Sequence, residues 1–129
     1  MTPVMQTKFG AIGNCFEACL ASLLNMSIER VPNFGAYGDE GDWMAEVNEW
    51  LSQMGLAYFE ARIPNDEIDD FFRDKDFFHV MVGHTNRFEH LQHAIVGRKG
   101  KMVHDPHPDG VGILPTREML IGVVVRTFL

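Results

Sequence analysis

Two residue classes are scarce in this chain, and each scarcity closes off a type of answer. Only two cysteines occur in 129 residues, too few for a disulfide framework. Cys15 and Cys19 lie four apart in one predicted helix. Their Cβ vectors point outward along such a helix, so no bridge is expected and both read as free thiols. Basic residues are the second scarcity: 11 Lys and Arg face 18 Asp and Glu, a formal charge of -7. That balance disfavours nucleic acid and an anionic membrane as partners. The basic cluster Arg98, Lys99 and Lys101 fits a hairpin tip. Long apolar runs are missing too, so no bilayer-crossing segment is expected. The start, MTPVMQTKFG, lacks the basic-then-apolar pattern of a signal peptide. Repeats, low-complexity stretches and long linkers are also lacking. The expectation is one cytoplasmic domain spanning residues 1–129, with 46% hydrophobic residues to build one core.

What is present reads as helices first and sheet second. Asn14 is placed to cap a helix from Cys15 to about Asn25, with Glu17 completing a capping box. Phe16, Cys19, Leu20, Leu23 and Leu24 supply its buried face. IERV is a short turn after Ser27, ended by Pro32. Asn33–Asp42, rich in glycine and acid, reads as a mobile loop, either a lid or a surface connection. Asp42 caps a second helix that Gly55 stops, with Trp43, Val47, Trp50, Leu51 and Met54 on its apolar side. Leu56–Ile63 reads as a strand, and the acidic stretch after it as a short helix capped by Asn65. FFHVMVGH, HAIVGRKG and KMVHDP are strand-sized runs. TREML reads as one helical turn and IGVVVRTFL as a closing strand. The class is α+β, N-terminal helices on a C-terminal antiparallel sheet.

Cys15 opens the first helix at its first position, where backbone N–H groups point outward and favour a thiolate. Cys19, one turn further in, has its local N–H groups tied into the helix and reads as core. Packing alone is the competing account of Cys15. The segment His93–Gly110 shifts that balance. His93 opens a strand and Asp105 ends the next one, so a hairpin brings imidazole and carboxylate together on one condition. With a two-residue turn and regular pairing, Ala94 faces Asp105, and His93 and Asp105 point to opposite faces. An odd-length loop or a bulge puts Ile95 opposite Asp105, and His93 becomes its diagonal neighbour. The simpler alternatives are a satisfied sheet histidine and an Asp-Pro turn.

Gln6, Cys15 followed by ACLASLL, His93 in HAIVG and Asp105-Pro106 in VHDPHPDG together resemble the papain-like cysteine peptidases. Within that family the chain is most similar to the small peptidases that cleave bacteriocin leader peptides. The resemblance spans nearly the whole chain and implies a papain-like fold. It further implies Cys15 as nucleophile, His93 as general base and then acid, Asp105 as the orienting carboxylate and Gln6 as an oxyanion donor. Phe16 stands where the family has glycine, and Gln6 lies further from Cys15 than is usual. The implied activity is hydrolysis of a peptide or isopeptide bond in a peptide or protein substrate, without a cofactor. The same triad also serves protein deamidation and acyl transfer, and an inactive protein-binding relative is a third reading. Histidine spacings at His90/His93 and His104/His107 admit zinc, but neither HExxH nor paired CxxC occurs and no metal is expected.

Overall fold

A computed structural model describes residues 1–38, 41–87 and 90–127. Helix α1 spans Cys15–Leu24 and α2 spans Trp43–Ser52. Strand β1 (Leu56–Pro64) leads into the short helix α3 (Ile68–Phe72). Strands β2 (Phe78–His84), β3 (Gln92–Arg98), β4 (Lys101–His104) and β5 (Glu118–Arg126) follow. They form one five-stranded sheet in the order β1-β5-β2-β3-β4, every pairing antiparallel. The architecture is α+β.

The two long helices form for the reasons their sequences carry. In α1 the seven residues Phe16–Ser22 are all buried. Asn25 closes it in the left-handed region (φ 56), its N–H reaching the carbonyls of Ala21 and Ser22. In α2 the Asp42 carboxylate accepts the Ala45 N–H, Val47 and Leu51 are buried, and Gly55 turns the chain with φ 70.

Both sheet faces are covered. α1 packs on β3 and α2 on β1, and their apolar side chains meet Tyr58, Val80, Val82, Ala94 and Val96. On the opposite face Ile68 and Phe72 of α3 meet Ile63, Met81, Ile95 and Ile121. Burial on both faces explains why β2 and β3 read as continuous apolar runs rather than alternating ones. α3 is shorter than the acidic stretch suggested. A 3-10 turn, Asn65–Glu67, precedes it, and Asn65 contributes its backbone N–H to Arg117 O rather than a side-chain cap.

TREML is not helical. Glu118, Met119 and Leu120 belong to β5 and pair with Pro64, Ile63 and Arg62. A ready β1 edge and burial of Met119 outweigh the local helix preference of these residues. The closing strand ends at Arg126; Phe128 and Leu129 lie outside the described residues.

The β3–β4 hairpin decides where Asp105 goes. Its turn is two residues, Lys99 (φ 55) and Gly100 (φ 77), the left-handed pair of a type I′ turn. A Cβ at Gly100 would stand 2.3 Å from Ile68 Cγ2. Pairing runs Arg98↔Lys101 and Gly97↔Met102, then shifts to Val96↔His104. Val103 is the extra residue, and the bulge supplies the odd step that a two-residue turn lacks. No helix among the described residues is long and apolar enough to cross a membrane.

Candidate active site

Cys15 is the first residue of α1, and Asn14 occupies the cap position without capping. Its Oδ1 instead accepts the N–H groups of Thr7 and Lys8, both at 2.9 Å, and its Nδ2 donates to Thr7 Oγ1. Glu17 does not complete a capping box either. Its carboxylate accepts the Phe34 N–H at 3.0 Å, while burial pushes its pKa up against that bond and the Lys8 charge. Each side chain meets a long-range backbone donor, and those contacts displace the local cap. The consequence is that the Asn14 side chain leaves the start of the helix at Cys15 uncapped.

The two thiols part company here. Cys19 is fully buried, and burial, then the Cys15, Asp105 and Glu17 charges, push its thiol well up. Cys15 is half-buried and its Sγ accepts the Ala94 N–H of β3 at 3.4 Å. α1 therefore meets β3 at the residue next to His93.

His93 Nε2 lies 2.7 Å from Asp105 Oδ1, and both residues are buried. With Nε2 so engaged, Nδ1 is the ring nitrogen left to interact with Cys15. Burial pulls the His93 pKa down. The hydrogen bonds and charges of Asp105 and Cys15 outweigh it and hold it at about 9. Burial likewise pushes Asp105 up, and the bonds from His93 and the backbone N–H groups of His107 and Gly112 bring it to about 2. Those two backbone bonds measure 2.9 and 2.8 Å, one on each carboxylate oxygen. The imidazole is thus held at one edge by a carboxylate that the 105–112 loop itself immobilises.

Gln6 arrives on an N-terminal strap. Thr2 and Val4 N–H groups bond Ser22, His104 Nε2 donates to Val4 O at 2.7 Å, and Gln6 N–H reaches Pro106 O at 3.0 Å. Its Nε2 donates to Lys8 O, the carbonyl that also accepts the Asn14 N–H. This anchors the amide beside the start of α1. One N–H of the pair is spent on Lys8, and Oε1 is buried without a partner.

Gln6, Cys15 and His93 line one cavity of about 410 Å³, together with Phe9, Arg87 and His107. Ala36, Tyr37 and Gly38 bring the glycine-rich loop to its wall; Asp39 and Glu40 of that loop lie outside the described residues. Tyr37 and Tyr58 both donate to Glu60 Oε2 at 2.7 Å, so this wall is tethered to β1. Phe16 does not intrude on the cavity. It is buried against the rings of Tyr37, Trp43 and Tyr58.

His90 and His107 line the same cavity as His93. His79 is buried in β2, where its Nε2 accepts the Gly100 N–H and its ring stacks on Phe72. Among the described residues no group of three or more His, Cys, Asp or Glu is arranged to hold a metal ion. Arg87 lines the cavity without having been singled out in the sequence, and His107 lines it having been considered as one end of a zinc spacing; Asp109 stands behind both. The HxxH spacing was visible, but its geometry depends on two loops meeting. Compared with models of protein families, with curated proteins and with solved structures, the chain matches none of them.

Proposed function

We propose that the protein is a papain-like cysteine hydrolase that cleaves a peptide or isopeptide bond through Cys15, His93 and Asp105. The observation that carries the reading is a relay of side chains at the wall of one cavity. Cys15 and His93 line the same cavity, Cys15 being bonded at Sγ by the N–H of Ala94 next to His93, and Nε2 of His93 is held at 2.7 Å by a buried carboxylate. An imidazole kept charged beside a sulfur at a helix start is what a thiolate nucleophile requires.

In this reading the Cys15 thiolate attacks the substrate carbonyl carbon, and the C=O electron pair moves onto oxygen. The Cys15 backbone N–H and the second Nε2 proton of Gln6 receive that oxyanion, each such donor being worth about 3–4 kcal/mol. Collapse expels the amine, which takes its proton from the His93 imidazolium and leaves a thioester. Water then attacks the thioester while His93 removes its proton, and the acid and free thiol are released. Asp105 holds the ring in place and steadies the imidazolium without itself taking a proton. Burial of Phe16 in the aromatic core favours this reading over an inactive binding module, since the ring leaves the cavity clear.

The test is iodoacetamide labelling with mass mapping across pH, on wild type and on His93→Ala. Labelling at Cys15 is expected to be fast already below neutral pH, where an isolated thiol is almost entirely protonated. It should slow strongly in His93→Ala. Equal, slow labelling of both cysteines in wild type overturns the proposal.

A further inference from the structure

Beside Cys15, His93 and Asp105 stand Arg87 and His107, gathered around Asp109, which the hydrolytic steps leave unused. Asp109 Oδ2 bonds Arg87 Nη1, and Asp109 Oδ1 accepts the Val111 N–H at 3.1 Å. The same Oδ1 lies 3.2 Å from His107 Nδ1. Arg87 and His107 therefore both touch one carboxylate and are neighbours in space, although they come from different loops. Both line the cavity that holds Cys15 and His93.

The His107 ring has little freedom. It meets the Phe9 ring edge-on at 5.3 Å between centroids and the His93 ring at 6.2 Å. Its Nδ1 accepts the Asp109 N–H at 3.1 Å. In the neutral ring that bond places the proton on Nε2, which makes the other edge a donor. Arg87 shows Asp109 one nitrogen of a guanidinium that carries five N–H donors. Side-chain exposure is 22% for Arg87 and 20% for His107, so water competes weakly for these groups.

Charge points the same way. The chain carries a formal -7, yet the described residues lining this cavity include neither Asp nor Glu. Arg87, His90, His93 and His107 are the basic groups among them. Asp109 sits behind the pair and does not line the cavity.

We propose that the cavity selects substrates bearing a free carboxylate, which Arg87 and His107 bind beside the bond that Cys15 attacks. The inference rests on the hydrolase reading above and names its substrate class. A carboxylate matches both donors: it accepts from the guanidinium fork and from an imidazole N–H through charge-assisted bonds. A cationic side chain at the same place meets like charge. The carboxylate has two sources, a chain terminus or an Asp or Glu side chain, and reach separates them.

The test uses N-iodoacetyl derivatives of glycine, β-alanine and 4-aminobutyrate, each against its carboxamide. Alkylation forms the S–C bond at Cys15 and releases iodide, and mass mapping gives the rate at each cysteine. The readout is the carboxylate-to-carboxamide rate ratio, normalised to glutathione. At one length the normalised ratio is expected to reach about tenfold, the value of one charge-assisted hydrogen bond. Arg87→Gln and His107→Gln should each lower it by about threefold or more at that length, separating their effect from the His93 charge. A peak at glycine indicates a chain terminus; a peak at a longer acid indicates a side chain. A ratio matching glutathione at every length, or unchanged in both variants, overturns the inference while fast carboxamide labelling leaves the nucleophile standing. Carboxamide probes that label Cys15 no faster than glutathione overturn both.

Discussion

Asp105 accepts three donors on two oxygens: His93 and the His107 N–H on one, the Gly112 N–H on the other. Asp105→Asn keeps an acceptor for one of the backbone donors and removes the charge. His93 then loses the bond and charge that oppose its burial. Its titration, followed by NMR of the ring C–H protons, is expected to fall from about 9 to the ordinary ~6.5 or below. A titration that stays put shows that something other than Asp105 sets the imidazole. Much of this was legible at the residue scale. Cys15, His93 and Asp105 were identifiable by type and order, because a thiol at a helix start and a hairpin ending in Asp-Pro are local patterns. Asn14 and Glu17 were legible in place but not in partner. Thr7, Lys8 and Phe34, which claim them, carry no pattern that announces the contact. Arg87 and His107 were hidden for the same reason, since Asp109 unites them only after two loops fold together.

Between β3 and β4 the element scale takes over. A two-residue turn alone would send His93 and Asp105 to opposite faces, and the Val103 bulge reverses that. Deleting Val103 removes the bulge yet leaves Val96 opposite His104, so Asp105 keeps its place on the His93 face. The expected result is retained far-UV circular dichroism with Cys15 labelling at the wild-type rate. Labelling slowed to the His93→Ala rate would show that the local twist of the bulge, and not its register step alone, aims Asp105 at His93. Sequence reasoning reached the need for an odd step but not its location, because Val103 looks like any strand residue. Periodicity located α1 and α2, but α1 buries Phe16–Ser22 without a break rather than along one stripe, and Met54, read onto the apolar side of α2, is exposed. It failed at TREML, too short for a period, where the partner strand decides. Gly122 in β5 shows what such a partner demands: a Cβ there would stand 1.9 Å from Tyr58 Oη. Gly122→Ala is expected to cost about 2–3 kcal/mol in denaturant unfolding, and Tyr58→Phe should recover part of it by removing the clashing oxygen.

On the scale of the whole molecule the His93–Asp105 pair is a pH-dependent brace. The His93 pKa in the fold, about 9, exceeds its unfolded value of ~6.5. Its contribution is therefore complete below ~6.5 and lost as pH rises through about 9. Asp105, at about 2, lies under its unfolded ~3.9, so its contribution is complete above that value and lost as pH falls toward about 2. Both act together between ~4 and ~6.5. His79 works in the opposite sense: burial lowers its pKa, so stability is lost as pH falls below ~6.5. Comparing wild type with Asp105→Asn cancels His79. The difference in melting temperature should be largest between ~4 and ~6.5 and shrink on both sides. A difference that does not vary with pH would show that the pair contributes through shape alone. Finally, the Ala94–Cys15 bond joins residues 79 apart in the chain, and the strap that carries Gln6 is fastened to residues 104 and 106. Such distant closures come late in folding. On the hydrolase reading, a nascent or half-folded chain therefore carries an unassembled site, and Cys15 meets His93 only once α1 has docked on β3. Under that reading, chemical danger to the chain itself is then deferred until the fold is complete.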